Sequence, residues 1–202
     1  VVGRVRGSVV KITGVAPSCS RQIDGSGFVY DEERVMTNAH VLAGVSEPTV
    51  EAEGETYDAT PVYVDESVDI AVLAVPGLPQ TPLLFTAPPA ADAGDDAIIM
   101  GYPGGGDFFV GAARIRDQGE ISGPNFRNTG TVVRDVYALF GSVRAGNSGG
   151  PLLAPDGSVL GVVFASAIDD PNTGYALTGA QVTRAAMAGE NAQAAIDTGP
   201  CE

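Results

Sequence analysis

The 202-residue chain carries 11 basic against 25 acidic side chains, a formal charge of −14. A field of that sign repels phosphate backbones and anionic lipid, which disfavours nucleic-acid and membrane-surface binding. Apolar residues at 44% and charged residues at 18% suit a packed core, and no apolar run reaches the roughly 18 residues of a membrane helix.

The chain opens at Val1 with neither an initiator Met nor a basic-then-apolar export signal, which reads as a processed or trimmed start. The 27 glycines and 14 prolines favour many short strands and turns over long helices. Strands are predicted at Ser8–Ile12, Gly27–Tyr30, Arg34–Thr37, Thr49–Ala52, Thr56–Val64 and Ile70–Val75. Their β-branched residues and the turn pairs Asp24-Gly25 and Glu53-Gly54 carry that reading. Pro76, Pro79, Pro82, Pro88 and Pro89 then mark a crossover linker, because each proline removes a ladder donor. Strands resume at Asp96–Met100, Gly130–Val133, Asp135–Tyr137, Pro151–Leu153 and Ser158–Phe164, with Asp156-Gly157 as a hairpin turn. Only Ala180–Ile196 reads as helix, interrupted at Gly189. The implied architecture is all-β: paired barrels with a cleft between them, divided as residues 1–85 and 86–202, with a C-terminal helix.

Chemistry concentrates at few positions. His40 is the sole histidine and Cys19 and Cys201 are the sole cysteines, so a zinc site has too few ligands, and neither metal nor cofactor is expected. Asp95-Asp96 and Asp169-Asp170 read as solvated loop carboxylates rather than a calcium site. Ser148 lies in Gly146-Asn147-Ser148-Gly149-Gly150-Pro151. Its small neighbours let a substrate backbone approach and let successive N–H groups converge on one oxygen. The α/β-hydrolase elbow is excluded by order, because no histidine follows Ser148. Asp69 heads the apolar run Ile70–Val75, where burial without a partner is costly. Met100-Gly101-Tyr102-Pro103-Gly104-Gly105-Gly106 lacks the lysine and hydroxyl of a phosphate-binding loop and reads as a loop beside the cleft.

Thr37-Asn38-Ala39-His40, Asp69-Ile70-Ala71-Val72-Leu73 and Gly146–Pro151, in that order, resemble the chymotrypsin-fold serine proteases of the HtrA-like branch. Ser8–Ile12, Val35–Val41, Met100–Gly106, Arg134–Tyr137 and Gly161–Phe164 are similar to its MarP-like group of actinobacterial, membrane-anchored proteases linked to acid resistance. The resemblance implies two six-stranded antiparallel barrels and a serine endopeptidase. His40 would be its base, Asp69 the orienting carboxylate and Ser148 the nucleophile, with the N–H groups of Gly146 and Ser148 as oxyanion hole. It places Ser142 to Ala145 and Val163, Phe164 and Ala165 around the primary pocket; no carboxylate at an obvious base position argues for an apolar P1 residue rather than Arg or Lys.

The resemblance also implies a Cys19–Cys201 disulfide and an oxidising, periplasmic or extracellular location. Peptide or protein substrates are expected, with no nucleic-acid partner, a monomeric state, and a membrane tether only through an N-terminal domain outside this chain. Asn147 replaces the aspartate of digestive relatives, so Val1 is not expected to insert as an activation switch. With an ordinary histidine pKa near 6.5, turnover is expected to fall below about pH 6. A catalytically silent, protease-like binding scaffold is the alternative.

Overall fold

The computed structural model describes residues 1–202 and contains two antiparallel sheets followed by one long helix. The first sheet is built from β1 (Val9–Ala16), β2 (Arg21–Asp31), β3 (Arg34–Thr37), β4 (Thr49–Ala52), β5 (Glu55–Asp58), β6 (Thr60–Asp65) and β7 (Ile70–Ala74). Its order is β5-β4-β1-β2-β3-β7-β6. Seven strands stand where six are expected because the run Thr56–Val64 breaks at Ala59, whose N–H leaves the ladder to donate to Pro48 O. Asp24-Gly25 is not a turn: both residues lie inside β2, paired with Thr13 and Ile12. The reversal falls at Pro17–Ser20, where Ser20 takes the left-handed conformation (φ 52°).

The second sheet closes into a six-stranded barrel, β10-β13-β12-β11-β8-β9. Its strands are β8 (Asp96–Gly101), β9 (Phe109–Pro124), β10 (Thr131–Phe140), β11 (Pro151–Leu153), β12 (Val159–Ser166) and β13 (Thr173–Thr178). β9 and β13 have no counterpart in the sequence reading, and the two predicted strands around Arg134 are one continuous β10. The proline-rich stretch between the sheets makes one β-bridge to the second barrel, Phe85 to Val159, beside a hydroxyl contact between Thr86 and Ser158.

Alternation along the strands sorts side chains into three layers. Val10, Ile12, Val29, Val35, Ala71 and Leu73 fill the first sheet, while Ile99, Ile115, Tyr137, Leu139 and Leu152 fill the second. Their sequence neighbours Phe28, Met36, Ile70, Val72 and Met100 face the other way, joining Leu153, Val162 and Leu177 between the sheets.

The final helix, Gly179–Glu190, completes that middle layer. It is capped by Thr178, whose side chain accepts from Gln181 N–H, and it buries Val182, Ala185 and Ala186 against both sheets. Two four-residue helices precede it in the chain, so they are α1 (Val2–Val5) and α2 (Ala39–Leu42), and the terminal one is α3. Gly189 does not break α3: a Cβ there would fall 2.6 Å from the Tyr30 hydroxyl. The helix ends at Glu190 rather than Ile196 because Arg34 takes the free carbonyls of Gly189 and Ala192. The remaining tail runs back along the first sheet, with Thr198 Oγ1 donating to Val45 O. There Cys201 is joined to Cys19 in a disulfide.

Candidate active site

His40 sits in the single turn α2, immediately after β3. Such a short helix leaves its first N–H groups without internal partners. Asp69 supplies one: its Oδ1 accepts from His40 N–H at 2.8 Å, while Oδ2 lies 2.6 Å from His40 Nδ1. A carboxylate only accepts, so Nδ1 carries the hydrogen and Nε2 presents a free lone pair. Asp69 is itself over-determined. It occupies the left-handed region (φ 72°), its N–H donates to Asp65 O, and its carbonyl accepts from Asn38 Nδ2 at 2.9 Å.

The Asp69 side chain is 3% exposed and that of His40 22%, so the imidazole reaches solvent and the carboxylate does not. Burial, the largest influence on His40, pushes its pKa down. The hydrogen bond and charge of Asp69, with Glu202, outweigh it and leave the value above 6.5, with Arg134 opposing.

Ser148 comes from the β10–β11 loop of the other sheet. Ser26 of β2 binds that loop across the cleft: its N–H donates to Ser148 O, its hydroxyl donates to Gly146 O at 2.6 Å and accepts from Tyr102 N–H. Thr37 Oγ1 closes the circuit by donating to Ser26 O. Gly149 then packs so tightly against Ser26 O and Thr37 Oγ1 that no Cβ fits, which brings the Ser148 segment against the residues that lead into His40. No hydrogen bond joins the Ser148 hydroxyl to another side chain.

The Ala145–Gly146 peptide has a defined direction. Ala145 O accepts from Gly104 N–H at 2.8 Å, and in a trans peptide the following N–H points the opposite way, away from that contact. Gly146 adopts φ 94°, and a Cβ there would strike Gly104 N and Tyr102 O. Neither Gly146 N–H nor Ser148 N–H donates to any acceptor in the molecule, so both are available to an incoming oxygen. The glycine-rich loop after β8 therefore buttresses the Ser148 loop through Gly104.

The expected pocket residues divide. Phe164 and Ala165 line a cavity of about 620 Å³, Ser142 lies on the exposed loop before Ser148, and the Val163 side chain is fully buried among the barrel core. Val163 reaches the site through its backbone alone, accepting from Gly149 N–H and donating to Gly150 O. Val1 rests near the Asp156–Gly157 turn, and the fully buried Asn147 has no partner for either side-chain polar atom.

Sequence reasoning gave no role in the site to Ser26, Phe126 or Arg134. Phe126, at the tip of the β9–β10 hairpin, brings its ring to 6.1 Å from the imidazole. Arg127 anchors that tip with a two-pronged pair to Glu66 and a bond to Pro200 O. Arg134 Nε donates to Ser67 O, two residues ahead of Asp69. The small Ser26 between Gly25 and Gly27 is the one signal in the sequence that hints at a close backbone approach.

Fold and site together define a class: residues 25–162 match the trypsin-like peptidase domain, and the chain belongs to that family. Across all 202 residues it is 48% identical to the serine protease Rv3671c of Mycobacterium tuberculosis. It covers half of that protein's length. The crystal structure of the active form of that protease superposes with a TM-score of 0.95 at 47% identity, covering 99% of this chain and 88% of that one. The inactive form, at the same identity, gives 0.82 over 91% of this chain. A more distant relative is the chloroplastic Protease Do-like 1 of Arabidopsis thaliana, 34% identical over 70% of this chain and 33% of its own.

Proposed function

We propose that the chain is a serine endopeptidase in which Ser148 is the nucleophile, His40 the general base and Asp69 the residue that orients and stabilises the imidazole. The observation that carries this reading is the His40–Asp69 pair: both carboxylate oxygens are used on His40, which fixes the tautomer and leaves Nε2 as acceptor. Ser148 Oγ attacks the scissile carbonyl while its proton passes to His40 Nε2. The resulting oxyanion is held by the N–H groups of Gly146 and Ser148. The imidazolium, stabilised by Asp69, then protonates the leaving amine, and a water activated by His40 hydrolyses the acyl ester.

The backbone edge of β12 beyond Val163 would receive the acyl side of the substrate as an added strand. An apolar P1 residue is favoured, because the loop Ser142–Ala145 and the segment Val163–Ala165 carry no carboxylate to pair with a base. A location outside the cytoplasm is supported by the Cys19–Cys201 disulfide and by a relative named as a probable periplasmic DegP-like endoprotease of Halomonas elongata. A membrane tether through a further N-terminal domain, a role in acid or other stress, and a monomeric catalytic unit extend the same reading.

A fluorophosphonate probe tests it. Labelling is expected on Ser148, seen by peptide mapping, and is expected to vanish in His40→Ala. A folded chain that takes no label under any condition would instead be a binding scaffold.

A further inference from the structure

We infer that Arg134 turns the hollow beside the His40–Asp69 pair into a subsite for a substrate side chain ending in a carboxylate, with glutamate the best fit. The inference rests on the proteolytic reading above and names part of its substrate. The hollow, about 620 Å³, is walled by Ile121, Val136, Phe164, Ile168 and Tyr175, with Arg134 as its one cationic side chain. Arg134 is 8% exposed, yet only its Nε is committed, to Ser67 O at 3.0 Å. The guanidinium lies 5.4 Å from the centre of the Phe164 ring, and no carboxylate stands within ion-pair distance of it.

Most arginines of the chain also lack a carboxylate partner; what sets Arg134 apart is burial with donors left unused. Arg127 pairs with Glu66 through two nitrogens, and Arg34 spends three nitrogens on carbonyls. The carboxylates nearest to Arg134 are engaged elsewhere. Asp69 uses both oxygens on His40, and Asp65 Oδ1 accepts from Ser67 and Val68. Burial lowers the arginine pKa, with Asp69 and Asp65 opposing, but a guanidinium stays charged at neutral pH. A desolvated cation with unused donors binds best to an anionic, planar acceptor that takes two bonds at once.

The apolar walls add a second requirement. A substrate side chain that reaches the buried Arg134 lies against these walls, Phe164 and Ile121 among them, which suits methylene groups below a charged tip. Glutamate meets both demands; leucine meets only the second, and glutamine offers a neutral acceptor. Asp169 at the exposed rim repels a carboxylate held outside the hollow, so the acidic group gains only by full insertion.

The test uses chromogenic peptides that carry Glu, Gln or Leu in turn at P2, P3 and P4. At one position the wild-type chain is expected to prefer Glu over Gln by about tenfold in kcat/KM, the order of a charge-assisted pair over a neutral one. Arg134→Lys is expected to reduce the ratio and Arg134→Gln to bring it to about one. The readout is a ratio within each variant, so differences in active fraction cancel. Should Arg134→Gln fail to fold, the wild-type ratio and its decline with added salt still decide. Fluorophosphonate labelling of Ser148 without any Glu preference would overturn the subsite alone, as would a preference that survives in Arg134→Gln. No labelling of the wild type would overturn the proteolytic reading with it.

Discussion

The two halves of the cleft are built by opposite means. On the first sheet, His40 and Asp69 are held by side chains: a carboxylate bonded twice to one residue and an asparagine amide on the Asp69 carbonyl. On the second, the Ser148 loop is held mainly by backbone, with Gly104 on Ala145 O, Gly149 on Val163 O and Ser26 N–H on Ser148 O, against one side-chain bond from the Ser26 hydroxyl to Gly146 O. Its glycines matter for what they lack. In the proposed mechanism one half positions the base and must be specific about functional groups; the other presents the N–H donors and must be specific about main-chain direction. Changes in the first half should therefore remove rate and leave the fold, whereas changes in the second should disturb both.

Asp69→Asn is the sharpest break on the side-chain half. An amide turned toward Nδ1 favours the opposite imidazole tautomer and removes the acceptor at Nε2, and a loss of about 10⁴ in kcat is expected. Asparagine tolerates the left-handed backbone of position 69 (φ 72°), so the melting temperature should stay close to that of the parent. On the backbone half, Gly146→Ala forces a side chain into a φ of 94° against Gly104 and Tyr102. The peptide must turn, taking one oxyanion donor with it. A loss of about 10²–10³ in kcat is expected, together with about 1–3 kcal/mol of stability from the strained backbone. Turnover and thermal unfolding of the same two variants check the contrast. If Asp69→Asn lost as much stability as Gly146→Ala, the division between the halves would be wrong.

The same contrast explains what could be read in advance. A single histidine and a serine among glycines stand out in any sequence, and the short β-branched runs of the first sheet declare themselves by turns such as Glu53-Gly54. β9 did not, because Arg114, Arg116, Asp117 and Glu120 are all exposed, and the strand is held by pairing, with β8 over its first part and β10 over the rest, rather than by an apolar stripe. β13 is only six residues long and runs straight into the cap of α3. Asp24-Gly25 misled because turn residues also suit a strand packed closely against a neighbour: a Cβ on Gly25 would meet Val41. Ser26, Phe126 and Arg134 owe their places to partners more than 60 residues away or on the opposite sheet. No local pattern carries such information.

The smallest expected effect concerns pH, and it separates rate from stability. Burial acts most strongly on His40 and lowers its pKa. The Asp69 hydrogen bond and charge, then Glu202, raise it further than burial lowers it, and Arg134 pulls back slightly. As the proposed base, His40 works only when neutral, so kcat/KM should fall as pH drops through a value above 6.5, earlier than an unperturbed imidazole would give. Stability runs the other way. A pKa raised on folding contributes stability that is full below the unfolded value near 6.5 and is lost as pH rises through the folded value. Mild acid should therefore leave the chain slower but more firmly folded. Because His40 is the sole histidine, its ring titration can be followed directly by NMR in Ser148→Ala and compared with the pH–rate profile of the parent. Glu202→Gln should lower the midpoint a little and Asp69→Asn by more. A parent midpoint at or below 6.5 would mean that burial outweighs the carboxylate, and the side-chain half would then tune its base by desolvation rather than by charge.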